Sequence, residues 1–171
     1  MGSEAGDSPN THVVALGALN AGISVIPIRA DGSKAPALRR WTNYQQEAAT
    51  EGEAEAWFQN TDQGLGFVCG RVSGNLECVD FDDRDSYEAF RARASEVGLG
   101  LLVERIEAGF LELTPNGVRW AYRCAVIGGS QKLACRPSVL SPSKKGLKTL
   151  IEIKGEGGYF IAAPSAGTVH C

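Results

Sequence analysis

The segment that most constrains the fold is residues 76–83, in which apolar and acidic residues alternate. Residues spaced by two along a strand point to the same face, so the segment predicts a strand with Asp80 and Asp82 on one face and Val79 and Phe81 on the other. Two like charges this close repel unless a cation lies between them, and a hard divalent metal is the usual cation for oxygen ligands. The alternative is a strand that ends in an acidic turn, since further charged residues follow directly.

Composition limits the class of protein. A length of 171 residues, 43% of them hydrophobic and 22% charged, suits one globular domain. The net charge of −3 excludes a generic basic coat for nucleic acid, so a polyanion would bind through a local basic patch or bridging metal ions. No apolar run is long enough to span a membrane, and no signal peptide is visible.

The cysteines indicate the compartment. The five of them are scattered without a Cys-x-x-Cys spacing, and the chain has only two histidines, which argues against a zinc site. Several lie in apolar stretches, as buried free thiols of a reducing compartment do, so we expect a cytoplasmic protein.

The ends of the chain differ from its middle. Residues 1–10 are mostly small and polar and are predicted to be a disordered lead or a tag, which leaves residues 11–171 as one domain. The chain stops without a closing element, which predicts that it is a fragment of a longer protein.

The pattern of elements predicts an α+β fold, with a largely antiparallel sheet and flanking helices. Helices are expected at 11–21, after the capping-box residue Thr50, and at 85–97. Strands are expected at 24–29, 64–70, 76–83, 110–114, 118–124, 150–154 and 159–163, with a basic loop at 139–148. Glycine-rich turns predict two hairpins, one joining 64–70 to the acidic strand and one joining 150–154 to 159–163.

Glu152 is a charge inside an otherwise apolar strand. Alone it reads as a solvent-facing residue, but beside Asp80 and Asp82 it becomes a candidate third carboxylate. Three carboxylates can hold two Mg²⁺ or Mn²⁺ ions about 3.5–4 Å apart, which stabilise a displacement at phosphorus. Lys154 shares its strand face and would suit a triphosphate, or is a plain surface lysine. Glycines at 155–158 would let the backbone approach a phosphate, or form a simple turn.

Several motifs occur in the order of one known family. They are Gly-Leu-Gly-Phe-Val-Cys-Gly at 64–70, Ser-Gly-Asn-Leu-Glu-Cys-Val-Asp-Phe-Asp-Asp at 73–83, Thr-Pro-Asn-Gly at 114–117, Ile-Glu-Ile-Lys-Gly-Glu-Gly-Gly-Tyr at 151–159 and Ala-Ala-Pro-Ser at 162–165. From about Thr11 onwards the chain resembles the N-terminal domain of bifunctional DNA primase/polymerases (prim-pol), in the archaeo-eukaryotic primase superfamily. Val-Ile-Pro-Ile at 25–28, Lys-Ala-Pro at 34–36 and Trp41 also resemble its opening.

This resemblance implies an archaeo-eukaryotic primase-like catalytic domain that acts as a nucleotidyltransferase. Its metal-binding and catalytic carboxylates would be Asp80, Asp82 and Glu152, with Mg²⁺ or Mn²⁺ as cofactor and a nucleoside triphosphate as substrate. Its partners would be a single-stranded DNA template and a primer, and a helicase domain in the same chain of a plasmid, phage or integrated element. The implied nucleotide contacts are Arg119, Lys154, Ser73, Gly74 and Lys34.

The resemblance has one departure, because the family places a histidine after the Thr-Pro-x-Gly turn and this chain does not. Arg119 stands in that stretch and would replace the histidine as a phosphate ligand. Alternation predicts that Arg119 points to an open sheet face, away from Val118, Trp120 and Tyr122, and so serves nucleotide binding rather than folding. A competing alignment puts Trp120 at the histidine position.

Basic residues gather in two irregular segments of this acidic chain. They predict a template or primer surface, or are ordinary solvated lysines and arginines; besides Lys34 they are Arg39, Arg40, Lys144, Lys145 and Lys148.

Three functions stay open on the sequence. The first is template-directed nucleotidyl transfer by a primase/polymerase. The second is a catalytically silent domain of the same fold that binds nucleotide or single-stranded DNA. The third is a metal-dependent nuclease or phosphohydrolase, because a carboxylate cluster alone does not distinguish hydrolysis from transfer.

Overall fold

The computed structural model describes residues 10–59, 61–137 and 146–165, and the backbone of 169–170. Its helices are α1 (Thr11–Asn20), α2 (Glu51–Phe58), α3 (Arg84–Glu96) and α4 (Gly100–Glu107). Its strands are β1 (Val25–Ile28), β2 (Gly64–Val68), β3 (Leu76–Phe81), β4 (Leu111–Leu113), β5 (Val118–Arg123), β6 (Gln131–Pro137), β7 (Leu147–Lys154), β8 (Tyr159–Ala162) and β9 (Val169–His170). The predicted α+β class is confirmed.

The strands form two sheets, and the paired strands in both are antiparallel. A three-stranded sheet has the order β1-β2-β8, and a six-stranded sheet has the order β6-β7-β3-β5-β4-β9. The acidic strand β3 is therefore internal, between β7 and β5. Pro27 lies in edge strand β1, where the loss of one backbone donor is tolerated.

Both predicted hairpins are wrong. β2 and β3 belong to different sheets, with a single bridge between Gly70 and Leu76, and β7 and β8 are likewise divided. The glycine-rich turns carry the chain from one sheet to the other. Apolar alternation identifies a strand, but the partner of that strand is set by packing between distant segments.

Local signals placed most of the helices. The side chain of Asn10 accepts a hydrogen bond from the backbone N–H of His12 at the start of α1, and Thr50 and Glu53 form the predicted capping box of α2. The sequence did not predict α4 or β6. Glycines flank α4, and β6 is exposed along most of its length, so it lacks the half-buried alternation that reveals a strand.

The two faces of β3 enter different environments. Val79 and Phe81 pack with Trp120 under α3 and α4, and the Phe81 and Trp120 rings lie 4.9 Å apart. On the other face, Cys78 joins a core that contains Phe67 and Phe160 of the small sheet. The face that carries Asp80 is thus turned toward the three-stranded sheet. No helix in the described ranges is long and apolar enough to cross a membrane.

Gly155 makes the crossing from β7 to β8 possible. A Cβ on Gly155 would overlap the carbonyl oxygen of Gly128, which also accepts a hydrogen bond from the N–H of Glu156 at 2.7 Å. The glycine that the sequence associated with phosphate binding is therefore required for close contact between two backbone segments.

We expect Gly155→Ala to lower the free energy of unfolding by about 2 kcal/mol, because the backbone must shift to admit the methyl group. The matched control is Gly128→Ala, whose Cβ would meet no atom of the described residues within 4 Å. Urea denaturation of the two variants measures the difference. Equal stability of the two would contradict the close-approach role of Gly155.

Candidate active site

A row of charged residues crosses the six-stranded sheet. The register pairs Lys132 with Glu152, Glu152 with Asp80, Asp80 with Arg119 and Arg119 with Glu112. Directly paired residues on antiparallel strands have side chains on the same face, with Cβ atoms about 4.5–5.5 Å apart. The sheet therefore aligns five charged residues from β6 to β4, with the two acids Glu152 and Asp80 adjacent between the cations Lys132 and Arg119. The backbone of His170 pairs with Glu112 beyond them.

Asp80 and Glu152, which are distant in sequence, are neighbours in this row. Asp82 lies just beyond the end of β3, where its N–H donates to the carbonyl of Leu150 at 2.9 Å. Among the residues that the structure describes, no group of three or more acidic, histidine or cysteine side chains is arranged to hold a metal. Two carboxylates nevertheless fit Mg²⁺, which commonly binds one or two of them together with substrate phosphates.

Each predicted metal-binding carboxylate forms an ion pair with a basic side chain. Arg119 Nη2 lies 3.2 Å from Asp80, Lys148 Nζ lies 2.7 Å from Asp82, and Lys154 Nζ lies 2.7 Å from Glu152. The repulsion that the sequence suggested is therefore relieved by basic side chains of the same domain. A divalent cation that binds here competes with these ion pairs.

Arg119 shares the face of Asp80, as predicted, but that face is not open at this point. The residue is only 8% exposed, and its Nη1 donates to the carbonyl of Ile161 in the small sheet. Its guanidinium also lies 5.3 Å from the ring centroid of Phe160. The prediction of an open face is wrong because the second sheet covers it. Trp120 lies on the opposite, aromatic face, away from Asp80.

Glu112 is the residue of this region that sequence reasoning missed. It is 1% exposed, its Oε1 accepts from the N–H of Ala163 at 2.8 Å, and its Oε2 lies 3.6 Å from Arg119 Nη1. Burial raises the pKa of the Glu112 carboxyl above its usual range. The signal was available, since Glu112 is an acid between Leu111 and Leu113, as Glu152 is between two isoleucines.

A cavity of about 940 Å³ opens between the two sheets beside this row. Its described lining includes Asp80, Arg119, Lys154 and Lys34, but not Asp82 or Glu152. Two aromatic side chains, Trp41 and Tyr159, also line it, with ring centroids 4.9 Å apart; the Tyr159 hydroxyl donates to the carbonyl of Lys34 at 3.1 Å. The cavity thus combines two acids, Asp62 and Asp80, with several cations and aromatic side chains.

The family model for the N-terminal domain of bifunctional DNA primase/polymerases matches residues 15–170. The chain belongs to this family. Membership supports a function of the DNA primase/polymerase type and, in general terms, binding of DNA and nucleotide. No curated protein matches the chain.

In this prim-pol domain Ser73 and Gly74, which the sequence placed near nucleotide, support the loop between the sheets. Ser73 is fully buried; its hydroxyl accepts from the N–H of Ser24 at 2.9 Å and donates to the carbonyl of Val68. Gly74 has a φ of 67°, and a Cβ there would lie 3.0 Å from Arg123 Nε. Neither residue is part of the described cavity lining.

The predicted nucleic-acid surface is only partly described. Arg39 and Arg40 are exposed but do not line the cavity, and Lys148 is paired with Asp82. Lys144 and Lys145 lie outside the described residues, as does the predicted disordered lead apart from Asn10.

We expect Ser73→Ala to lower the free energy of unfolding by about 1–3 kcal/mol, because it leaves the buried N–H of Ser24 without an acceptor. Ser95→Ala, at an exposed position of α3, serves as the control. Thermal denaturation measures the stability of each variant. Nucleotide titration at a temperature where all variants are folded measures binding. Weaker nucleotide binding with unchanged stability would instead make Ser73 a direct contact.

Arg119→Ala is expected to lower the free energy of unfolding by about 3–5 kcal/mol, because it leaves the buried carboxylate of Glu112 without its cationic partner. The sequence had assigned Arg119 to binding rather than folding. Arg91→Ala is the control, since Arg91 is more exposed and its partner Glu107 lies less deeply. Urea denaturation measures both variants.

The loss of unfolding free energy caused by Arg119→Ala should also depend on pH. The pKa of Glu112 is raised by burial in the folded protein, so the folded state holds this proton to higher pH than the unfolded chain does. Protonation removes the unpaired charge of the Glu112 carboxylate. The loss of stability should therefore shrink as pH falls from about 7 to about 5. A loss that grows on acidification would contradict a charged Glu112 as its cause.

Proposed function

We propose that this prim-pol domain catalyses metal-dependent, template-directed nucleotidyl transfer, as a DNA primase and polymerase. The observation that carries the proposal is the cross-strand pair of Asp80 and Glu152 next to a cavity with cationic Arg119 and Lys154. The substrate would be a nucleoside triphosphate, and the partners a single-stranded DNA template and a primer.

Asp80, Glu152 and, at the adjoining position, Asp82 would hold Mg²⁺ or Mn²⁺. When bound, such a cation stabilises negative charge that develops on the phosphate oxygens. Since only two of these carboxylates are direct neighbours, the remaining ligands would come from the triphosphate.

The other groups of the cavity suit a nucleotide. Its volume of about 940 Å³ is within the range of small-molecule sites. Lys154 and Lys34 would neutralise phosphate charge, and backbone at Gly157 and Gly158, which also line the cavity, can approach a phosphate closely. Trp41 and Tyr159 offer rings beside which a base can lie.

A second candidate is nucleotide or single-stranded DNA binding without transfer. The ion pairs favour it, because Asp80, Asp82 and Glu152 each have a basic partner within the domain. If these pairs persist with nucleotide bound, the carboxylates do not take up the metal. The helicase domain and the mobile-element setting stay predictions, which the full reading frame would test.

Primer extension with labelled nucleotide, with Mg²⁺ or Mn²⁺ and with neither, tests the proposal. Asp80→Asn and Glu152→Gln keep side-chain size and should each lower extension by about 100-fold or more, because they remove charge that holds the cation. Glu104→Gln, at an exposed position of α4, should extend like the wild type.

The outcomes separate the functions. Nucleotide binding without extension by the wild type would favour the silent domain. Metal-dependent cleavage of single-stranded DNA that requires Asp80 would favour a nuclease.

A further inference from the structure

Glu112 is the one member of the Asp80–Arg119–Glu112 series that the proposed function does not use. Its Oε1 has a clear structural partner in the N–H of Ala163. Its Oε2 is buried, accepts no hydrogen bond from the residues that the structure describes, and lies 3.6 Å from Arg119 Nη1. Oε2 of Glu112 is thus free to accept from the guanidinium of Arg119, which in this structure donates to Asp80 and to the carbonyl of Ile161.

Arg119 stands between two acids. Its Nε and Nη2 donate to Oδ1 of Asp80 at 3.3 and 3.2 Å, which are long for charge-assisted bonds, while Nη1 faces Glu112. The Arg119 side chain is 9% exposed and the Glu112 side chain 2% exposed. Water therefore has little access, and the buried guanidinium needs at least one carboxylate partner.

A divalent cation at Asp80 would disturb this arrangement. It would compete for the same carboxylate oxygens and repel Arg119, which has the same sign of charge. Without Glu112, release of Asp80 would leave the buried guanidinium with no carboxylate partner among the described residues, and with only the carbonyl of Ile161 and the ring of Phe160 beside it. With Glu112, the guanidinium can shift a short distance toward Oε2 and stay neutralised.

We propose that Glu112 is a positioning residue that holds Arg119 when Asp80 takes up a divalent cation. The proposal rests on the proposed function, because it requires Asp80 to be a metal ligand. It makes metal binding an exchange of partners: Asp80 passes from Arg119 to the cation, and Arg119 passes from Asp80 to Glu112. No proton is transferred, and the number of charges in the cluster rises only by that of the cation.

Binding of Mn²⁺ alone to the full chain, followed by the electron paramagnetic resonance signal of free Mn²⁺, tests this exchange. Glu112→Gln keeps the acceptor for Ala163 N–H but removes the alternative charge, and should weaken Mn²⁺ binding by about 10-fold or more. Glu77→Gln is the matched control. Glu77 lies on β3, the strand of Asp80, but it accepts a hydrogen bond from the Tyr122 hydroxyl and is on the opposite face of the sheet.

The decisive comparison removes Arg119 as well. Arg119→Gln should bind Mn²⁺ at least as tightly as the wild type, because no cation competes for Asp80. The double variant Glu112→Gln/Arg119→Gln replaces the charged pair by two neutral amides and should bind Mn²⁺ like Arg119→Gln. A purely structural Glu112 would instead weaken Mn²⁺ binding by the same factor with or without Arg119.

Each outcome decides the matter. Unchanged Mn²⁺ affinity in Glu112→Gln, or an equal loss in the absence of Arg119, overturns the role of Glu112. Mn²⁺ binding that is indifferent to Asp80→Asn overturns both this role and the metal site. Coupling of Glu112 to Mn²⁺ in a protein that extends no primer supports the exchange and overturns only nucleotidyl transfer.

Discussion

The pairing of β3 with β7 on one side and β5 on the other is the constraint on which the site depends. This register sets Glu152, Asp80 and Arg119 side by side, although they come from three separate parts of the chain. A slip of one residue in either pair would exchange the charged face with the aromatic one. The apolar face, where Phe81 and Trp120 pack under the helices, fixes the register and thereby aligns the charges.

The cost of enclosing charge explains the internal ion pairs. A carboxylate or guanidinium shielded from water is strongly unfavourable unless an opposite charge and hydrogen bonds accompany it. Glu112 and Arg119, the most buried members of the row, form an ion pair, and each makes a hydrogen bond to the backbone in or directly after β8. Glu152 and Asp82 lie nearer to solvent and have lysine partners, which leave more readily than a buried arginine.

The cavity results from the way the chain changes sheets. After β2, after β7 and again after β8 the chain crosses from one sheet to the other, so the faces of both sheets come together without a direct hairpin between them. Gly155 permits one of these crossings by close backbone contact, and Ser73 ties another to the start of β1 through Ser24. Loops that read as simple turns therefore build the space beside Asp80.

The sequence by itself determined the features that depend on near neighbours. Alternation identified β3 and the separation of Asp80 from Val79 and Phe81, capping residues located α2, and ordered motifs identified the family. Tertiary structure alone decided which strands pair, that Arg119 is covered, and that Glu112 lies beside it. The physical reason is the distance along the chain over which each property is set. Alternation reports which neighbouring residues share a face, whereas burial and the partner of a charge depend on segments that meet only when the two sheets pack together.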